Sequence, residues 1–270
     1  LWNLVPNPES ITGKLDRPLT ENNDHPWQKL RRSITKVMRD AEFLRTLTLV
    51  GIVGKMSIAG VVMFAIPLMM FSQGYKADDV GLMLMFYYIS SMVMTSYVAR
   101  IVDGAGMSRK ALILSAMLGG LAIVVVGLVS QPGSSYETLM AGMEPLVWLS
   151  EQFIEAGMGA SAVVLYIAII LLGISNGLLA APVMTHINNT DVSRKEGIKQ
   201  VAATYVFLER FGHVAGPAVI AHLLFLNNNA PLSISLFGVI MVVLGGVYMV
   251  TSRGAEKTAS SPVLKAKVAS

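Results

Sequence analysis

Six long apolar stretches occupy most of this chain, and each is about as long as a lipid bilayer is thick. An α-helix needs about 20 predominantly apolar residues to cross the hydrocarbon core of a membrane. The pattern therefore predicts an all-α membrane protein with six transmembrane helices. The stretches cover residues 46–71, 80–99, 111–130, 161–184, 200–226 and 232–251.

The composition favours the same class of protein. Hydrophobic residues make up 53% of the 270 residues and charged residues only 14%, whereas a soluble domain has about 25% charged residues. The absence of cysteine excludes a disulfide, a thiolate metal site and a cysteine nucleophile. The first 25 residues are polar and do not form a signal peptide. Because the chain begins at Leu1 and not at Met, we expect it to be part of a longer polypeptide.

Positive charge is distributed unevenly between the two sides of the predicted bundle. Nearly all of the 21 Lys and Arg fall in the termini and in the second-to-third and fourth-to-fifth loops. Lys76 lies on the other side, and Lys55 and Arg210 lie inside apolar stretches. The positive-inside rule then predicts a plasma (inner) membrane protein with both termini in the cytoplasm. This distribution also argues against a nucleic-acid partner.

The predicted organisation has four parts. Residues 1–25 form a polar linker, and residues 26–43 form a basic amphipathic helix that either lies on the inner leaflet or packs on a neighbouring domain. Residues 44–252 form the six-helix bundle, and 253–270 form a cytoplasmic tail. A long outer loop, 131–160, divides the bundle into three plus three helices, which fits the inverted repeats common in secondary transporters.

Two motifs have the spacing of a known family. The loop between the second and third stretches contains Asp103 with neighbouring glycines and, further on, Arg109. It resembles the Gly/Asp/Gly/Arg signature loop of the major facilitator superfamily, although Ala99 stands near the usual first glycine and one residue is inserted before Arg109. The run Gly212-x-x-x-Gly216-Pro217 resembles the glycine–proline motif on the fifth helix of a facilitator half. Such glycines allow close helix packing, and the proline favours a kink.

This resemblance covers about residues 44–252 and implies one six-helix half, in the order of a C-terminal half. It implies that a second six-helix half completes the protein, from upstream residues or from another subunit. It also implies that a small solute binds between the halves, mainly to the first and fourth helices. In this chain those helices carry Lys55, Ser57, Ser175 and Asn176.

Charged residues within a membrane are expensive and are functional candidates by default. Lys55, Asn176, Glu209 and His213 are predicted at similar depth, about 15 Å at 1.5 Å per residue. Glu209 and His213 share a helix face because they are four residues apart, and Arg210 is turned away. Two roles remain open for Glu209 and Arg210, namely a substrate or proton site and a structural or gating charge network. The candidate partners in that network are Asp103 and Arg109.

The predicted pathway for substrate or ions includes side chains of the second helix as well. Its full membership is Lys55, Ser57, Tyr87, Ser91, Ser175, Asn176, Glu209 and His213. The leading functional prediction is a secondary active transporter, symporter or antiporter, that works by alternating access, with proton coupling left open. A receptor or signalling module with a transporter-like fold is the alternative. An enzyme is the weakest prediction because no zinc motif or phosphate-binding loop occurs. No catalytic residue, metal site or cofactor is predicted.

Overall fold

The computed structural model describes residues 34–72, 74–102, 105–129, 160–227 and 230–259, which are almost entirely helical. The predicted linker 1–25, residues 26–33 of the predicted helix 26–43, Asp103, and all but the last residue of loop 131–160 lie outside the described residues. The described helices are α1 Ala41–Ser72, α2 Ala77–Ile101, α3 Ala105–Val129, α4 Ala160–Asn188, α5 Asp191–Glu196, α6 Ile198–Asn227 and α7 Ala230–Ala259.

Five of these helices are long and apolar enough to cross a membrane, which confirms an all-α, multi-pass membrane protein. Their spanning segments are Ala41–Ser72, Ala77–Ile101, Met107–Val129, Val163–Asn188 and Leu232–Ser252. The fifth predicted crossing, 200–226, is also helical, and α6 has ample length at 30 residues. It is not among the five apolar segments. Glu209, Arg210 and His213 near its middle reduce its apolar character.

Helix α1 begins at a defined cap. Asp40 has an extended backbone, and its carboxylate accepts a hydrogen bond from the Phe43 amide at 2.8 Å, as N-cap residues do. Residues 34–37 are also helical, but the chain turns before α1 begins. The described part of the predicted helix 26–43 therefore consists of two helical pieces separated by a turn.

The interior of α1 is unusually wound. Leu47–Ile52 and Ser57–Ala65 are π-helical, and the α-helical turn Val53–Met56 lies between them. π-helical turns are rare and usually short, and they occur frequently at functional sites. Two such stretches in one helix therefore mark α1 as a candidate functional element. Sequence periodicity gave no indication of them.

Glycines bring the helices together in three close pairs. A Cβ atom added to Gly216 of α6 would lie 2.8 Å from a backbone oxygen of α1, and one added to Gly177 of α4 would lie 2.7 Å from a backbone oxygen of α2. Between α3 and α7, a Cβ on Gly120 would lie 2.8 Å from the carbonyl oxygen of Gly238. Small residues allow helix backbones to approach in this way. The close pairs are thus α1–α6, α2–α4 and α3–α7, and α3 packs extensively on α4 as well.

The core of the bundle has two main apolar clusters that follow one another along its axis. We call the end where α1, α3 and α6 begin and α2, α4 and α7 end the basal end. The basal cluster includes Phe43, Tyr205 and Tyr248, and the distal cluster includes Ile66 and Phe237. Polar side chains are concentrated where the two clusters meet, which is the location of the candidate site.

Candidate functional site

A small cavity lies in the middle of the bundle, where residues of α1, α2, α3, α4 and α7 meet. Its volume is about 10 Å³, which is close to the space that one water molecule needs. A tyrosine, three serines and an asparagine supply its polar lining, and Met241 of α7 closes one side. The polar lining residues are Ser57, Tyr87, Ser115, Ser175 and Asn176.

Reciprocal hydrogen bonds fix one wall of the cavity. The Ser115 hydroxyl donates to the carbonyl oxygen of Ser175 at 2.8 Å, and the Ser175 hydroxyl donates to the carbonyl oxygen of Ser115 at 2.8 Å. Both side chains are buried. The pair therefore joins α3 to α4 and leaves each hydroxyl oxygen able to accept a further hydrogen bond.

The opposite wall contains a buried hydroxyl without a partner. Tyr87 is 1% exposed, and its hydroxyl has no hydrogen-bond partner among the described residues. Nearby, Asn176 donates through Nδ2 to the Ser91 hydroxyl at 2.8 Å, which joins α4 to α2. An unsatisfied buried polar group costs about 1–3 kcal/mol. A water molecule or a polar solute in the cavity would remove this cost.

Four of the predicted pathway residues therefore line one cavity, namely Ser57, Tyr87, Ser175 and Asn176, and Ser91 is bonded to the last of them. Sequence reasoning missed Ser115. Counted from the start of the predicted stretch at residue 111, Ser115 is only four residues deep, whereas the structure begins the helix at Ala105 and places Ser115 ten residues into it.

The other predicted pathway residues form a second group between α1 and α6. Lys55 Nζ lies 3.8 Å from Glu209 Oε1, with 22% and 9% of the respective side chains exposed. Lys55 stands in the α-helical turn between the two π-helical stretches. A Cβ on Gly212 would lie 2.8 Å from Lys55 Cβ, so the two helices touch closely beside the ion pair. His213 is half-buried, one turn after Glu209.

The predicted charge network is described only in part, because Asp103 lies outside the described residues. Glu209 pairs with Lys55, and Arg109 donates to the Ser252 hydroxyl at 2.9 Å, near the basal end. Arg210 is exposed in the middle of α6. Sequence distance alone does not show that Arg109 lies near the end of α7. Helix α6 also continues through Pro217 as one helix.

A buried polar network that the sequence reasoning missed lies at the basal end. His186 Nε2 is 3.3 Å from Glu42 Oε1 and 3.3 Å from the Tyr248 hydroxyl, which in turn is 3.3 Å from the Thr46 hydroxyl. These residues connect α1, α4 and α7. Nearby, Arg45 Nη1 donates to the carbonyl oxygen of Thr251 at 2.6 Å. His186 follows the end of the fourth apolar stretch, 161–184, and sequence alone does not place it beside α7.

The chemistry available at the cavity is hydrogen bonding by neutral hydroxyl and amide groups, with one ion pair nearby. Among the described residues, no group of three His, Asp or Glu side chains could hold a metal ion. The arrangement is suited to binding a water molecule or a small polar solute.

No protein-family model, curated protein or solved structure matches this chain.

Proposed function

We propose that the chain is a secondary active transporter, or one six-helix half of a transporter, that moves a small solute by alternating access. The observation that carries this proposal is the cavity near the middle of the bundle. It combines several convergent polar groups with the unpartnered Tyr87 hydroxyl, inside a protein whose other buried surfaces are mainly apolar. Polar groups are costly at this depth in a membrane and are usually retained for function.

The helix pairing supports a 3+3 inverted repeat. Exchanging the first three long helices with the last three maps α1 onto α4, α2 onto α6 and α3 onto α7. The exchange converts the close α1–α6 pair into the close α4–α2 pair and maps α3–α7 onto itself. The α3–α4 contact has a smaller counterpart between α1 and α7. An internal repeat of this kind is typical of transporters whose binding sites lie near the middle of the membrane.

The proposal includes an orientation and a partner. Since Lys and Arg are concentrated on one side, we place the basal end in the cytoplasm of a plasma (inner) membrane protein. In this proposal α6 is the fifth of six crossings and α7 is the sixth. A second six-helix half completes the solute pathway, as the resemblance to the major facilitator superfamily implies.

The test compares solute levels in cells that lack the gene with levels in cells that carry the wild-type or a variant gene. We expect the wild type to change the level of at least one small solute and Asn176→Leu to abolish that change. The matched control is Ser96→Ala, which removes an exposed hydroxyl bonded to a carbonyl of its own helix. The proposal fails if no solute responds to the wild type, or if Asn176→Leu behaves like the control at equal membrane abundance.

A further inference from the structure

The face of α6 that is turned away from the bundle carries a cation among large apolar side chains. Phe207, Phe211, Val214 and Phe225 are all strongly exposed. Their spacing places them along one stripe of the helix. Arg210 is exposed within this stripe. We call this set of residues the α6 face.

Arg210 has no ion pair or hydrogen bond within the part of the chain that the structure describes. The adjacent Glu209 carboxylate interacts with it electrostatically but is buried and paired with Lys55. It lies roughly 18 Å from the start of α6 and roughly 25 Å from its end, at 1.5 Å per residue. A charged side chain at such depth in a membrane almost always faces protein or a water-filled cavity and pairs with another group. Lipid alone is therefore a poor neighbour for the α6 face.

The exposed stripe of α7 provides a comparison for the α6 face. It consists of aliphatic residues at the same helical spacing, including Val239, Val243, Val247 and Val250, and none of them is charged. Val243 is 57% exposed and Phe211 is 58% exposed, and each stands near the middle of a 30-residue helix. The α6 face differs from the α7 stripe in carrying a cation and phenylalanines, and the similar exposure and depth of Phe211 and Val243 make position 243 the control for position 211.

We propose that the α6 face binds a partner transmembrane helix that places a carboxylate against Arg210. The apolar residues around Arg210 provide a surface for helix packing, and Phe207 and Phe211 already contact edge to face at 6.0 Å. The carboxylate neutralises the cation and fixes the register of the partner helix. This inference requires that α6 crosses the membrane, but it does not require that the chain transports a solute.

A second copy of this chain does not fit the same surface. Among the described helices, the carboxylate near Arg210 in depth is that of Glu209, which is buried against Lys55. Pairing two α6 faces would bring arginine towards arginine without a free carboxylate from either described region. The partner helix therefore comes from a different segment or a different polypeptide.

Photocrosslinking in the native membrane tests this inference. A benzoylphenylalanine residue at position 211 should form an adduct with a transmembrane peptide that contains Asp or Glu, and the same residue at position 243 should form adducts with lipid. Arg210→Glu should reduce the peptide adduct roughly tenfold or more, which corresponds to about 1.4 kcal/mol of lost interaction. Arg210→Lys should retain most of it. Arg210→Gln gives the same test without a reversed charge, should Arg210→Glu fail to accumulate.

A charge exchange tests the proposed ion pair between Arg210 and the partner carboxylate. Replacing the partner carboxylate by Lys, together with Arg210→Glu, should restore the adduct. The inference is overturned if position 211 reacts only with lipid, only with a second copy of the chain, or with nothing. It is equally overturned if Arg210→Gln leaves the adduct unchanged or if the exchanged pair does not restore it. None of these results depends on solute flux, so failure here is distinguishable from failure of the transport proposal.

Discussion

Removing the Lys55–Glu209 ion pair should destabilise the bundle through loss of a coupled interaction and not through two independent effects. The two charged atoms are 3.8 Å apart and largely shielded from solvent. At that separation, two unit charges attract by about 4 kcal/mol at an effective dielectric constant of about 20. Desolvation offsets much of this attraction. We therefore expect a net coupling energy of about 1–3 kcal/mol, the range for interacting neighbours.

The two single variants should differ in severity. Glu209→Gln leaves Lys55 without its anion and also removes the negative charge next to Arg210. Lys55→Met leaves Glu209 with Arg210 as the neighbouring charge. We therefore expect Glu209→Gln to lower the unfolding temperature more than Lys55→Met, and the double variant to be less destabilised than the sum of the two.

The coupling energy follows from a double-mutant cycle, in which the unfolding temperatures of the wild type, the two single variants and the double variant are measured in detergent. The unfolding temperature should change by about 2–4 °C per kcal/mol of stability. The matched control is the pair between Lys36 and Glu196, which is shorter at 3.3 Å but more exposed, at 61% and 25%. Its coupling should be only about 0.2–1 kcal/mol because water screens exposed ion pairs. Strictly additive effects at Lys55 and Glu209, or a coupling no larger than that of the control, would refute the reasoning.

Three further predictions concern packing, orientation and assembly. Gly216→Ala should lower the stability by about 1–3 kcal/mol through overpacking, because the new Cβ would lie 2.8 Å from the α1 backbone. Gly81→Ala is the control and should change the stability little, because Gly81 has open space around it. Ala77 and Asn189 are both exposed. On intact cells an impermeant maleimide should label the variant Ala77→Cys but should leave the variant Asn189→Cys unlabelled. The reverse pattern would contradict the proposed orientation. The chain reconstituted in liposomes as monomers should show no solute flux, because half of the pathway is missing, and robust uptake would contradict this.

The sequence was most informative about the cavity where a polar residue interrupts an apolar stretch. Asn176 was predicted by counting residues along its helix to estimate its depth, because polar groups are costly in a membrane. Ser57 followed from the family resemblance, and Tyr87 was predicted as a polar side chain of the second helix. The structure brings these three to one cavity. Depth alone could not show that Ser115 and Ser175 would bond reciprocally, because that depends on the rotation of α3 relative to α4.

Other features depend on tertiary contacts that leave no local pattern. The π-helical stretches of α1 involve apolar residues that would also suit an α-helix. The basal network depends on the C-terminal turns of α4 and α7 ending beside the first turn of α1, which places His186 next to Tyr248. The sequence identified the membrane environment because hydropathy is an additive property, whereas these contacts depend on how whole helices are positioned.

The cavity and the basal network are connected because the same helices carry both. Helix α1 contributes Ser57 to the cavity and Thr46 to the network, and α4 contributes Asn176 to the cavity and His186 to the network. In this structure, the network and the basal apolar cluster lie between the cavity and the basal end. The contacts of His186 join α1, α4 and α7 in this region. In the proposed transport cycle, the network closes the cytoplasmic side, and the π-helical turns that flank Lys55 are where α1 would bend.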